Sequence, residues 1–170
     1  AMAREKGLQF LALEPMSCLA EPPTLPEELE RMMEELARHH RRDPQGTVPV
    51  YCCSDIGHGY ADAEGRVIHE NWELFERQIP YMGELHFKNT DALYNETFGF
   101  SAEERRRGIV DLQRLEELIE RNSGLFPRRS IIGYFETNGP KVGRDYSDRH
   151  LQAEIVESIT ALKKVFGGAP

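Results

Sequence analysis

The sequence predicts an α/β fold of four consecutive parallel βα units, and three observations carry that prediction. Four short apolar runs are each followed by a segment with apolar residues at helical spacing. The runs are nearly continuously apolar rather than alternating, as strands covered on both faces are. They recur at intervals of roughly 30–50 residues, the length of one strand, one helix and their loops. Such alternation belongs to a parallel sheet covered by helices. Eight units close a barrel of about 250 residues; this chain has 170 residues and four units.

The first strand is Leu8-Gln9-Phe10-Leu11-Ala12-Leu13, and Pro22-Pro23 breaks the chain after it. A helix opens near Thr24 or Pro26, with Leu29, Met32, Met33, Leu36 and Ala37 on one face. Its end carries His39-His40, which complement the helix dipole. Thr47 to Ser54 is the second strand and Asn71 to Ile79 its helix, with Trp72 and Phe75 packing onto the sheet. Glu84-Leu85-His86-Phe87 is the third strand, followed by a long connection. Glu103-Glu104 and Arg105-Arg106-Arg107 in it read as a charged surface. The third helix begins near Asp111 and turns Leu112, Leu115, Leu118 and Ile119 inward. Ser130 to Phe135 is the fourth strand. The last helix carries Leu151, Ile155, Ile159, Leu162 and Phe166 at helical spacing. Residues 1–170 read as a single (β/α)4 unit, with residues 1–6 partly a cloning remnant and 167–170 a flexible tail.

Composition excludes several function classes. Charged residues make up 29% and hydrophobic ones 39%, as in an ordinary globular domain, and the net charge is −8. That balance leaves no basic stripe for nucleic acid and fits poorly with anionic membranes. No apolar run approaches the ~20 residues of a spanning helix, so a cytoplasmic location is expected. Cys18, Cys52 and Cys53 show no CxxC spacing. They are expected to be small core residues rather than a zinc or redox site.

The informative residues stand where the strands stop: Glu14, Asp55, His86 and Glu136. Taken singly, an acidic residue after a strand is a solvated loop residue or a helix cap. Four parallel strands, however, end on one face, and three carboxylates there would repel one another without a cation. One divalent ion resolves that conflict. Mn²⁺ is the first expectation among Mn²⁺, Mg²⁺, Co²⁺ and Zn²⁺, because the set is oxygen-rich with one imidazole.

The ordered set of Glu14, then Ser54-Asp55-Ile56-Gly57-His58, then Leu85-His86-Phe87-Lys88-Asn89-Thr90-Asp91, then Phe135-Glu136-Thr137-Asn138 resembles the xylose-isomerase-like barrel superfamily, specifically its ketose 3-epimerases and sugar-phosphate isomerases. Arg107-Gly108-Ile109-Val110-Asp111 is similar to that family's Gly-rich lead into a helix. The resemblance covers Leu8 to Phe166 and implies the C-terminal half of a (β/α)8 barrel. It implies metal ligation by Glu14, Asp55, His86 and Glu136, an acid/base pair in Glu14 and Glu136, and substrate contact by His58. Two positions depart from the family pattern. Ala20, with Glu21 beside it, replaces a glutamate, and Ala92 replaces an arginine. Both bear on sugar contacts and not on the metal.

The expected reaction is epimerisation of a ketose or ketose phosphate through an enediolate. Isomerisation between C1 and C2 and a related lyase reaction remain open on the same scaffold. Lys88, Asn138, Lys141 and Arg144 follow the third and fourth strand ends and are candidates for substrate or phosphate binding. Four strands leave a sheet with open edges, so the expected partner is a second copy or an N-terminal half-barrel. The rival reading is a non-catalytic half-barrel that dimerises.

Overall fold

A computed structural model of the protein describes residues 1–137 and 149–167. Strands β1 (Leu11–Leu13) and β2 (Val50–Asp55) are followed by a two-stranded hairpin, β3 (Tyr60–Ala61) and β4 (Val67–His69). Next come β5 (Met82–Phe87), the hairpin β6 (Asn89–Thr90) and β7 (Thr97–Phe98), and finally β8 (Ile132–Phe135). The helices are α1 (Met2–Glu5), α2 (Pro26–Arg42), α3 (Asn71–Gln78), α4 (Glu104–Arg107), α5 (Leu112–Asn122) and α6 (Arg149–Phe166).

The main sheet has the order β1-β2-β5-β8 and every pairing in it is parallel. Strand order therefore follows chain order, and α2, α3 and α5 connect successive strands. All four expected strands and helices are present. The first strand is shorter than expected, because β1 is an edge strand that pairs with β2 only from Leu11 onward. Both rim hairpins fall where no strand was expected, their strands being too short to show a period. The turn α1 buries none of its residues.

Local chemistry explains the helix starts. Glu28 accepts hydrogen bonds from the backbone amides of Thr24 (3.1 Å) and Leu25 (3.2 Å), with Pro26 at the first helical position. Asp111 caps α5 by accepting from the amides of Gln113 (2.8 Å) and Arg114 (3.2 Å). Two clusters form the core. Leu29, Met33, Cys52 and Leu74 join α2 to β2 and α3. Phe75, Met82, Leu85, Phe100, Leu115 and Leu162 are the heart of the larger one, which binds α3, α5 and α6 to the sheet. Trp72 and Phe75 are buried there, as expected.

Three residues depart from the sequence expectation. Cys18 is exposed, because it lies in the loop after β1 and not on a strand as Cys52 and Cys53 do. Glu104 is buried rather than part of a charged surface: its Oε2 accepts from the Gly99 amide at 2.6 Å, which a loop turning back on itself would otherwise leave unpaired. His40 spends its Nδ1 on Thr47 Oγ1 at 2.8 Å, besides standing in the last turn of α2.

Candidate metal centre

Parallel register carries the candidate ligands to one rim. Asp55 is the last residue of β2 and pairs with His86 on β5. His86 pairs with Tyr134 on β8, and the Glu136 amide then donates to the Phe87 carbonyl at 3.1 Å. Glu14 follows β1 directly. Ligand atoms of Glu14, Asp55, His86 and Glu136 all lie within 4.8 Å of one another. His86 Nδ1 sits between the carboxylates, 3.1 Å from Glu14 Oε1, 2.7 Å from Glu136 Oε2 and 3.9 Å from Asp55 Oδ2. The chain has the strand order and rim of half a (β/α)8 barrel.

The surroundings orient these groups. The buried Asp55 has its amide fixed by Gln78 Oε1 at 3.1 Å, and its Oδ1 accepts from the Gly57 amide at 2.6 Å. Its Oδ2 is buried and receives no well-directed hydrogen bond, although Lys88 Nζ is 3.0 Å away and His58 Nε2 3.3 Å. An acceptor left in that condition is what a cation would satisfy. His58 Nδ1 meets Ser17 Oγ at 2.8 Å. Lys88 Nζ reaches His58 Nε2 at 2.8 Å and donates to Glu136 Oε1 at 3.3 Å. Gly57 makes this possible: a Cβ there would collide with the Lys88 stem.

The electrostatics are those of a carboxylate cluster answered by shared protons. Burial raises the Glu14 pKa, but hydrogen bonds with His58 and His86 outweigh it and hold the carboxyl well below the usual range. Hydrogen bonds with Cys53, Glu136 and Glu14 push the His86 imidazolium up to about 12 against the cost of burial. Burial depresses Lys88 and His58, yet the neighbouring carboxylates raise both: Asp55 and Glu136 for Lys88, Asp55 and Glu14 for His58. The donor set of three carboxylates and one imidazole fits a divalent cation, which would take the place of protons.

Five of the sequence-derived positions therefore meet at the rim: Glu14, Asp55, His58, His86 and Glu136. Lys88, a candidate for substrate or phosphate binding, joins them: it is buried, 6% exposed, among the carboxylates. Asn138, Lys141 and Arg144 lie outside the described residues. Sequence reasoning gave no role to Ser17, Gln78 or Gly57: Ser17 and Gly57 act through contacts with other βα units, and Gln78 reaches from α3 back to the strand end of its own unit.

No family model matches the sequence, and no curated protein matches it. Among solved structures the chain is similar to a "Putative Xylose isomerase" from Rhodospirillum rubrum, with a TM-score of 0.67 and 22% identity. The match covers 99% of this chain and 50% of that one, so the chain spans about half the length of that protein. The shared fold is a half-barrel. Among the described residues no helix is long and apolar enough to cross a membrane.

Proposed function

We propose that this chain is the metal-carrying half of an enzyme that epimerises or isomerises a ketose or ketose phosphate. The observation that carries the proposal is the convergence of Glu14, Asp55, His86 and Glu136 from four adjacent strand ends to within 4.8 Å. The sugar substrate class is supported by the likeness to the R. rubrum protein. These four residues would hold one divalent cation, Mn²⁺ in the first instance, whose Lewis acidity would polarise the carbonyl and hydroxyl oxygens of a sugar.

Glu14 and Glu136 follow the two edge strands and so approach the centre from opposite sides. A substrate carbon held between them has a carboxylate on each face, the arrangement a two-base inversion needs. One removes the proton from C3 and the other returns one from the far side. The same pair moving a proton between C1 and C2 gives isomerisation. His58, whose Nδ1 meets Ser17 Oγ, is proposed to hydrogen-bond a substrate oxygen. Lys88 balances the charge of Asp55 and Glu136. Asn138, Lys141 and Arg144 are proposed to bind the substrate's far end. The open edges β1 and β8 are proposed to be closed by a second half-barrel, either an N-terminal half or a second copy.

The test is proton exchange. The Mn²⁺-loaded protein in D₂O should replace the C3 hydrogen of a 2-ketose or its phosphate, followed by proton NMR, and E136Q should abolish this. Near-normal exchange in E136Q would sink the assignment. The exposed edge residues favour a second reading, a half-barrel whose role is assembly. A stable dimer with neither metal nor exchange would support that instead.

A further inference from the structure

The oxygen-rich set is one of two ligand clusters on this rim among the described residues. Cys53, Glu14 and His86 also offer ligand atoms within 4.8 Å of one another. Cys53 stands two residues before Asp55 on β2, so its thiol projects from the same face of the sheet, one step deeper along the strand. It is buried, and its sulfur lies within 4.8 Å of the ligand atoms of Glu14 and His86. At neutral pH an ordinary cysteine side chain is a thiol. A buried thiol on the ligand side of the strand differs from the inert core cysteine that the lack of CxxC spacing suggests. Cys52, on the opposite face among Leu29, Met33 and Leu74, is such a residue.

We propose that Cys53, Glu14 and His86 form a second metal position beneath the oxygen site. It would take a thiophilic divalent cation of the Zn²⁺, Co²⁺ or Cd²⁺ type, and its occupation would exclude a hard cation from the upper site. One sulfur, one imidazole and one carboxylate with a water in the fourth place make a zinc-type donor set. Mn²⁺ and Mg²⁺ prefer the oxygens of Asp55 and Glu136. Exclusion follows because Glu14 and His86 belong to both sets, and two dications this close would repel strongly. Binding exchanges the thiol proton for the cation: a sulfur–metal bond forms, and one proton leaves to solvent. The proposal does not depend on ketose turnover.

The experiment is a Co²⁺ titration of the purified protein, following thiolate-to-cobalt charge-transfer absorption in the near ultraviolet. In parallel, Zn²⁺ is added to the Mn²⁺-loaded protein and released Mn²⁺ is read by its free-ion electron paramagnetic resonance signal. The expected result is a band that saturates at one equivalent, and stoichiometric Mn²⁺ release. C53S and C53A should lose the band and weaken Zn²⁺ binding by at least about tenfold, the lower bound for losing even a supporting group, while retaining Mn²⁺. C18S, which removes the exposed thiol, should keep the band. D55N should do the reverse of C53S: weaker Mn²⁺, with the band intact. A wild-type cobalt complex without the band, or a band that survives in C53S, overturns the thiophilic position. Mn²⁺ that stays bound at saturating Zn²⁺ overturns the exclusion. Failure of the ketose proposal would look different: no C3 exchange, with the band present.

Discussion

Lys88 brings an ammonium group 3.0 Å from Asp55 and 3.3 Å from Glu136 at a depth where solvent screens little. Removing one partner of such a buried set leaves the others uncompensated, at a cost of about 3–5 kcal/mol. K88M should lower the stability of the metal-free protein by roughly that amount. Mn²⁺ should then restore more stability to K88M than it adds to the wild type, because the cation answers the same carboxylates. Thermal melts of both proteins with and without Mn²⁺ measure the difference; equal increments would show that Lys88 and the cation serve different charges. Glu14, Asp55, His86 and Glu136 could be read from the sequence because a strand end fixes both height and side. Lys88 was a candidate for substrate or phosphate binding, but its place among the carboxylates was not legible, since its inward path depends on the missing side chain of Gly57, one unit earlier. Ser17 and Gln78 were illegible for the same reason: their partners, His58 and Asp55, belong to other segments of the chain.

Among the elements, α2 shows how local sequence and a single carboxylate cooperate. Backbone hydrogen bonds from Thr24 and Leu25 hold the Glu28 pKa below its ordinary value of 4.5. A group depressed in the folded state adds stability above its unfolded pKa and loses it as pH falls through the folded one. The stability gap between wild type and E28Q should therefore be full above about pH 5 and close as the pH drops below 4.5. Denaturant titrations of both proteins across that range test it; a gap constant down to pH 2 would mean that Glu28 acts only through packing. At this scale the sequence was most legible where periodicity ran long, as in α2, α5 and α6. It was least legible in the β6–β7 hairpin and α4, whose lengths are below what a repeat can reveal.

For the whole molecule, the deciding feature is the pair of free strand edges. Leu11 on β1 and Ile132 and Tyr134 on β8 are 43%, 57% and 46% exposed, on strands that have no partner on their outer side among the described residues. Such edges recruit other strands unless something covers them. Light scattering across a concentration series should show association, and I132K, which puts a charge on the outer edge, should weaken it. A strictly monomeric wild-type chain would remove self-association from the ways the barrel closes. Four units and a rim of ligands were foreseeable from the repeat. How the edges close was not, because no residue within the repeat encodes what lies beyond it.

Glu14 and Glu136 directly follow the outermost strands, which among the described residues are paired on their inner flank only. The span between them is thus bridged by His86 but, among the described residues, clamped by no continuous ring of backbone hydrogen bonds. Whatever docks against β1 and β8 would press on both carboxylates at once and set the width of the gap. The inner pair, Asp55 and His86, stands on strands paired on both sides. On the proposed closure by a second half-barrel, a single chain would keep its anchor points ready while the jaws took their bite from a neighbour.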